Sequence, residues 1–227
     1  MRIRIAVASL ATALTGVLAV PAAAQAADDG PQQIIGGSTV SSAPWVAAVF
    51  SNGSFTCSGT IISANYVLTA RHCISGTMSV RVGSVSRSSG GVTRTVSSTT
   101  TRNDLALMRL SSSVSTSYMP LASSNPPVGS TNSIYGWGQT CYSGCGASAT
   151  LKTATVRVSS TNVTDAYGGQ AIRSTAISGA AWRGDSGGPE VYNGAQVGVA
   201  STADGQSIQN YGSVAYNRSW ISQVAGV

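Results

Sequence analysis

Charged side chains are scarce in this chain of 227 residues: Asp, Glu, Lys and Arg together make up 9% of it, against 42% hydrophobic residues. Disordered chains show the opposite balance, so that class is excluded and a folded protein is expected. A helical fold is disfavoured as well, because the chain has 26 glycines and is rich in serine and threonine. The length is enough for one large all-β domain or two small ones.

Long apolar runs are also lacking, except for one at the N-terminus. Arg2 and Arg4 precede the apolar stretch Ile5–Val20, and small residues ending in Ala24-Gln25-Ala26 follow it. This pattern predicts a secretory signal peptide over residues 1–26 and therefore a secreted protein. The alternative is a membrane anchor, but a span needs about 20 consecutive apolar residues. The stretch is shorter and contains polar residues, so no membrane partner is expected.

Metal ligands are few. His72 is the single histidine, and no two of the four cysteines are spaced as Cys-x-x-Cys. A structural zinc ion needs four nitrogen or sulfur ligands, so neither a metal nor another cofactor is predicted. In a secreted protein the cysteines should be oxidised. Three pairings are possible, and the spacing favours Cys57–Cys73 and Cys141–Cys145.

The net charge of +6 raises the question of a polyanionic partner. A nucleic-acid surface would show clustered basic residues, whereas the arginines here are scattered singly along the chain. We therefore expect a solvated basic surface and no nucleic acid partner. The scattered positions are Arg81, Arg87, Arg94, Arg102, Arg109, Arg157, Arg173 and Arg218.

From Ile34 onward the chain reads as short strands separated by turn residues. Apolar and polar residues alternate in Thr153–Val158, and Asn52-Gly53 and Asn193-Gly194 are hairpin-turn dipeptides. Many short strands without helical periods indicate a barrel or sandwich. The predicted strands are Trp45–Phe50, Thr56–Ile62, Tyr66–Thr69, Ser79–Val82, Val92–Val96, Leu105–Leu110, Ser133–Trp137, Thr153–Val158, Glu190–Tyr192, Gln196–Ala200 and Ser213–Tyr216.

Two further features organise the chain. Residues 118–132 contain three prolines and several serines, which predicts a linker between two strand sets of similar length. One helix is predicted over Arg218–Ala225, with Asn217 as its N-cap and Trp220 and Ile221 facing inward.

The catalytic chemistry suggested by the residues is that of an activated serine. A serine hydroxyl attacks a carbonyl only when a base removes its proton and a carboxylate orients that base. His72 is the only possible imidazole, and Asp104 begins an alternating apolar strand. Ser186 lies in Gly184-Asp185-Ser186-Gly187-Gly188-Pro189, where glycines permit a tight turn and backbone amides can face an oxyanion.

Three motifs, Thr69–Cys73, Asp104–Leu107 and Gly184–Pro189, resemble the catalytic motifs of the chymotrypsin/trypsin family of serine endopeptidases and occur in that family's order. Ile34–Gly37 is similar to the family's mature N-terminus. Gly136-Trp137-Gly138 and the terminal helix match it too, so the resemblance covers essentially all of 34–227. We expect a secreted, bacterial-looking member.

The resemblance implies two six-stranded antiparallel β-barrels with a C-terminal helix and an active site in the cleft between them. His72, Asp104 and Ser186 would form the triad, and the amides of Gly184 and Ser186 the oxyanion hole. The substrates would be proteins or peptides. The bond Cys57–Cys73 would match the family's bridge behind the histidine.

A zymogen is also implied. Cleavage before Ile34 would free an ammonium that pairs with Asp185, so residues 27–33 would be a short propeptide. Because Gln33 precedes the cut, a separate activating protease is expected.

The specificity pocket departs from the family's best-known members. By the resemblance, Ala180 lies at its base beside Ala181, where trypsin-like members carry Asp, and its walls are Ser201-Thr202-Ala203 and Gly212. Alanine cannot neutralise a buried cation, which predicts small or medium apolar P1 side chains rather than Lys or Arg.

Three more departures follow from the same alignment with the family. Trp182 replaces a cysteine of the pocket rim, Arg183 lies at the mouth of the pocket, and Arg71 replaces an alanine beside the histidine with no evident role.

Two other classes were weighed. A catalytically inactive family member that binds a partner would usually lack a triad residue, whereas all three are present. An α/β-hydrolase would need the order Ser, acid, His, which is the reverse of the order here. We therefore expect an active, monomeric protease.

Overall fold

The computed structural model describes residues 34–227; the predicted signal peptide and propeptide lie outside the described residues. Within the described part the chain is almost entirely β-structure, with one C-terminal helix. The elements are β1 Ser38–Thr39, β2 Val46–Ser51, β3 Ser54–Ser63, β4 Tyr66–Ala70, β5 Met78–Val82, β6 Val92–Arg102, β7 Leu105–Leu110, β8 Thr131–Gly136, β9 Lys152–Thr164, β10 Gln170–Ala176, β11 Pro189–Tyr192, β12 Ala195–Ala203, β13 Ile208–Ser213 and α1 Arg218–Ala225.

The first barrel is closed by six antiparallel strands in the order β2-β3-β4-β7-β6-β5. Its β2–β3 hairpin turns at Asn52 and Gly53, whose φ angles of 48° and 81° are the left-handed values that this turn requires. Leu68, Leu105 and Leu107 are among its fully buried side chains. The barrel therefore gains its stability from apolar residues at alternate positions of its strands, whose side chains face inward.

The second barrel follows the order β9-β10-β13-β12-β11-β8, and pairing of β8 with β9 closes it; β1 extends the sheet at β9. Helix α1 buries Trp220 and Ile221 against the core of the first barrel. The predicted fold class, two six-stranded antiparallel barrels and a terminal helix, is confirmed. The last strand of the first barrel ends at Leu110 and the first of the second begins at Thr131.

The structure corrects some sequence predictions. Strand β10 was not predicted, and the last strand is Ile208–Ser213 rather than Ser213–Tyr216. In both strands polar side chains occupy much of the sequence, which hides the apolar alternation. Asn217 precedes α1 but makes no side-chain capping bond; its amide donates instead to the Ser213 carbonyl at 2.8 Å.

A buried carboxyl group lies inside the second barrel. Glu190 is fully buried, and its Oε1 accepts hydrogen bonds from Asn132 Nδ2 at 2.7 Å and Ser174 Oγ at 2.6 Å. Its Oε2 is buried without a hydrogen-bond partner among the described residues. Burial raises the pKa of Glu190 to about 7, although the two hydrogen bonds oppose this.

Two disulfides join Cys57 to Cys73 and Cys141 to Cys145, which confirms the predicted pairing. In the described part of the chain, no helix has the length and apolar character needed to cross a membrane.

Candidate active site

His72 and Asp104 meet at the edge of the first barrel. Strand β4 ends at Ala70 and leads into a single helical turn, Arg71–Cys73, which the bond from Cys73 to Cys57 fastens to β3. Asp104 comes just before β7, the neighbour of β4. His72 Nδ1 lies 2.9 Å from Asp104 Oδ2 and 3.0 Å from Oδ1. The structure therefore brings the predicted imidazole and carboxylate together.

The Asp104 side chain is fully buried, whereas 29% of the His72 side chain is exposed. Its carboxylate also accepts the His72 backbone N–H at 3.1 Å and the Ser201 hydroxyl at 2.6 Å. These bonds fix both carboxylate oxygens. A carboxylate held in this way orients one imidazole tautomer and leaves Nε2 free to take a proton.

Ser186 lies in a tight turn of the second barrel. Gly184 and Gly187 on either side have φ angles of 98° and 78°, which side chains rarely permit. Two bonds from the first barrel hold this turn: Ser58 N–H donates to the Ser186 carbonyl, and Ser58 Oγ to the Gly184 carbonyl, both at 2.9 Å. A Cβ on Gly187 would overlap Thr69 Oγ1, so the turn packs against the strand that carries His72.

Two backbone donors of this turn have no partner. Among the described residues, no acceptor bonds the N–H of Gly184 or of Ser186. Nor does a hydrogen bond join Ser186 Oγ to His72 in the same part of the chain. Such bonds are often long in enzymes without substrate. The arrangement thus offers two free N–H donors beside a free serine hydroxyl.

Asp185, the residue before Ser186, is buried. Its Oδ1 accepts the N–H of Gly138 at 2.7 Å and its Oδ2 that of Trp182 at 2.9 Å. No cation pairs with it among residues 34–227, and burial raises its pKa to about 7 against the opposing effect of these bonds. Ile34 is fully buried in an apolar cluster with Ala181, the residue before Trp182, and Ala200.

A cavity of about 270 Å³ opens beside Ser186. Of the predicted pocket residues, Ala181, Ser201, Thr202 and Ala203 line it, and no carboxylate from residues 34–227 does. The remaining lining residues are Trp182, Arg183, Ser186, Ala200 and Tyr211. Burial raises the pKa of Tyr211 well above its ordinary value, and nearby Glu190 and Asp185 raise it further, so this wall is a neutral phenol.

Ala180 and Gly212 do not line this cavity. Ala180 is buried in a bridge to Ile35, and the space beside Gly212 is filled by Leu105. The register of β12 and β13 instead pairs Ala203 with Gln209, a residue that the sequence analysis missed. Gln209 is buried, and its Oε1 accepts the N–H of Ala181 at 2.7 Å. Correct placement of β13 would have revealed it.

Aromatic packing holds the rim of the cavity. Trp182 stacks on Tyr142 with ring centroids 4.9 Å apart, and its Nε1 donates to the Tyr142 carbonyl at 3.2 Å. A Cβ on Gly205 would overlap the indole. Tyr142 belongs to the loop closed by Cys141–Cys145. Trp182 therefore packs between the Tyr142 loop and the turn at Gly205, in the place of the expected rim cysteine.

The sulfurs of Cys57 and Cys73 lie within 4.8 Å of a His72 ring nitrogen, a grouping that could suggest metal ligands. The two sulfurs are bonded to each other and so are not thiolates. Thiolate is the form of cysteine that binds metals, so this grouping does not offer a metal site.

Comparison with known proteins agrees with this geometry. The family described as Trypsin matches residues 34–222. Trypsin delta of Drosophila melanogaster is 37% identical over 220 residues, covering 83% of this chain and 87% of the relative. Trypsin alpha-4 of Lucilia cuprina is 32% identical over 224 residues, covering 85% and 88%. These relatives are insect proteins, so the expected bacterial character is not supported.

Solved structures show the same architecture. Neuropsin, a serine protease expressed in the limbic system of mouse brain, superimposes with a TM-score of 0.71 at 27% identity, covering 80% of this chain and 94% of its own. Human heparin binding protein gives a TM-score of 0.74 at 23% identity, covering 85% and 96%, a likeness of fold alone. The chain belongs to the trypsin family and is a serine-type endopeptidase.

Proposed function

We propose that this enzyme cleaves peptide bonds with Ser186 as the nucleophile, His72 as the general base and Asp104 as the carboxylate that orients the imidazole. Ser186 Oγ attacks the scissile carbonyl while His72 Nε2 takes its proton. The N–H groups of Gly184 and Ser186 stabilise the oxyanion. His72 then returns the proton to the leaving amine, and water hydrolyses the acyl-enzyme by the same route.

The observation that carries this proposal is the contact of His72 Nδ1 with both oxygens of the buried Asp104. The two unbonded N–H groups beside Ser186 support it further. A fluorophosphonate probe tests it, because the probe labels only an activated serine. We expect stoichiometric labelling of processed protein and none of Ser186→Ala or His72→Ala. Absence of labelling in folded, processed protein would instead support an inactive binding protein.

The zymogen proposal rests on Asp185. A buried carboxyl with a raised pKa and no cation favours a partner that brings a positive charge. Cleavage by an activating protease after Gln33 would supply the Ile34 ammonium. Ile34 is already buried, and its φ of 39°, rare for a β-branched residue, would no longer be constrained after the cut.

Rates of probe labelling test this second step. Protein that begins at Ile34 should be labelled much faster than the longer zymogen, and acetylation of its amino group should return the rate to the zymogen's level. Equal rates for all three forms would refute the activation pair.

We also propose that the P1 side chain is small or medium and apolar. Ala181, Ala200 and Ala203 line the cavity, and no carboxylate is present there to pair with Lys or Arg. A series of p-nitroanilide substrates ending in Ala, Leu, Phe and Arg measures the preference. Fastest cleavage after Arg would refute it. We further propose that the enzyme is secreted, which the predicted signal peptide supports, and that it acts on proteins or peptides as a monomer.

A further inference from the structure

The loop 165–169 connects β9 to β10 and lies at the cleft. The side chain of its first residue, Asp165, holds the loop in its conformation. Asp165 is buried, and its Oδ1 accepts the N–H of Tyr167 at 2.9 Å and of Gly169 at 2.8 Å. Its backbone closes the turn through Asp165 N–H to the Gly169 carbonyl at 2.8 Å. One carboxylate oxygen thus organises the loop.

The other oxygen of Asp165 crosses to the first barrel. Its Oδ2 accepts the backbone N–H of Asp104 at 3.1 Å, in a buried contact between residues 61 apart in sequence. The loop also packs tightly on the turn before Asp104, because a Cβ on Gly169 would overlap the Asn103 side chain. Asn103 has a φ of 52°, so this turn holds an uncommon conformation.

The same loop reaches the Asp104 carboxylate by a second route. The N–H of Ala166 donates to Ser201 Oγ at 2.9 Å, and Ser201 Oγ donates in turn to Asp104 Oδ2 at 2.6 Å. The single hydroxyl proton of Ser201 is therefore directed to Asp104, since the N–H of Ala166 occupies the acceptor side. The main chain and the side chain of Asp104 are both held from the second barrel.

A third contact involves Arg71, the residue before His72. Its guanidinium carbon lies 4.3 Å from the centroid of the Tyr167 ring, the geometry of a cation–π contact. The N–H of Arg71 also donates to the Asp104 carbonyl at 2.9 Å. This gives Arg71 a structural role that the sequence did not suggest.

We propose that Asp165 is a positioning residue of the active site. Its carboxylate fixes the main chain of Asp104 so that the Asp104 side chain stays aligned with His72 Nδ1, and Tyr167 of the same loop packs against Arg71, the residue before His72. The proposal rests on the assignment of Asp104 to the triad. Removal of a bond to a buried N–H should affect the reaction more than substrate binding, because Asp165 does not line the cavity.

Asp165→Asn is the decisive variant. Its amide oxygen can still accept the N–H groups of Tyr167 and Gly169, whereas its NH₂ group then faces the N–H of Asp104, so two donors oppose each other. We expect kcat to fall about 10- to 100-fold, with KM changed less than about threefold. The matched control is Asp204→Asn, because Asp204 accepts three backbone N–H groups in a turn that makes no contact with Asp104.

The second readout is specific to the triad. Because His72 is the only histidine, ¹⁵N-histidine labelling yields a single imidazole spectrum. We expect Asp165→Asn to move the Nδ1–H signal of the bond to Asp104, and Asp204→Asn to leave it in place. Values of kcat are taken per active site titrated with the fluorophosphonate, so that unfolded molecules do not count. Wild-type kcat and an unmoved signal in Asp165→Asn would overturn the proposal.

Tyr167→Ala is a second variant in case Asp165→Asn folds poorly. It keeps Asp165 but removes the ring under Arg71, and we expect a smaller fall in kcat with the same direction of signal shift. No change in either readout would refute the role of the loop. Failure of the triad itself is distinguishable: folded, processed protein would then not be labelled, or Ser186→Ala would still be labelled, while the His72 signal would continue to report on Asp165.

Discussion

The burial of Glu190 predicts how the free energy of unfolding depends on pH. Its pKa rises from 4.5 in the unfolded chain to about 7 in the folded protein. The folded state thus binds the Glu190 proton more tightly than the unfolded state does. The contribution of protonated Glu190 to the free energy of unfolding is therefore fully present below pH 4.5, and it is lost as pH rises to about 7. At 1.36 kcal/mol per pKa unit, this contribution amounts to about 3 kcal/mol.

Glu190→Gln removes the titration and little else. The amide oxygen can accept the same bonds from Asn132 and Ser174, and the amide nitrogen takes the place of Oε2. We expect the variant to be more stable than its parent by about 3 kcal/mol at pH 8, or about 6–12 °C in Tm, and to have nearly equal stability at pH 4. Both proteins should carry Ser186→Ala to prevent self-digestion.

Urea unfolding followed by tryptophan fluorescence at pH 4, 6 and 8 measures the difference in free energy of unfolding between variant and parent. The titration of all other groups is common to both proteins and cancels from this difference. Asp204→Asn is a control for the removal of a surface charge. Partial burial would raise the pKa of Asp204, but hydrogen bonds from Gln206, Ile208 and Ser207 lower it below 3.8, so its contribution is lost only in stronger acid and its difference should stay nearly constant from pH 4 to 8. A Glu190→Gln difference that does not vary with pH would refute the reasoning.

Gly187→Ala should abolish probe labelling of Ser186, because its Cβ would overlap Thr69 Oγ1 and its φ of 78° disfavours a side chain; labelling at the parent's rate would contradict this. Trp182→Ala should raise KM for short substrates more than it lowers kcat, since it loosens the cavity rim, as steady-state kinetics would show. Double replacement of Cys57 and Cys73 by Ala should cost about 3 kcal/mol in urea unfolding, because the bond closes a loop with a sequence separation of 16.

The fold class was predictable, and the candidate catalytic residues could be proposed, because their signals are local. His72 is unique in the sequence, and Ser186 lies among glycines that only a strained turn requires. The strand β7, Leu105–Leu110, was predicted with its observed bounds because five of its six residues are apolar. Each of these signals is contained in a few consecutive residues.

The support of the site was not predictable, because it depends on register between distant strands. Gln209 comes to accept the N–H of Ala181, a lining residue of the cavity, through the pairing of β12 with β13, and the start of β13 was predicted five residues too late. The hydrogen bond from Asp104 N–H to Asp165 Oδ2 joins the two barrels, and the apolar periodicity of the neighbouring strands does not predict it. The wedge of Trp182 against Tyr142 likewise depends on where two loops meet.

The two buried carboxyl groups of the second barrel, Glu190 and Asp185, have different surroundings although burial destabilises the charged form of both. Glu190 and Asp185 share a raised pKa of about 7 for the same reason, the loss of hydration on burial. Asp185 lies against the backbone of the nucleophile turn, where an ammonium at Ile34 could stabilise its charge. Glu190 is enclosed by the barrel and bonded only to neutral groups. Under the proposed activation, an Ile34 ammonium would remove the cost of burying Asp185, whereas that of Glu190 would persist.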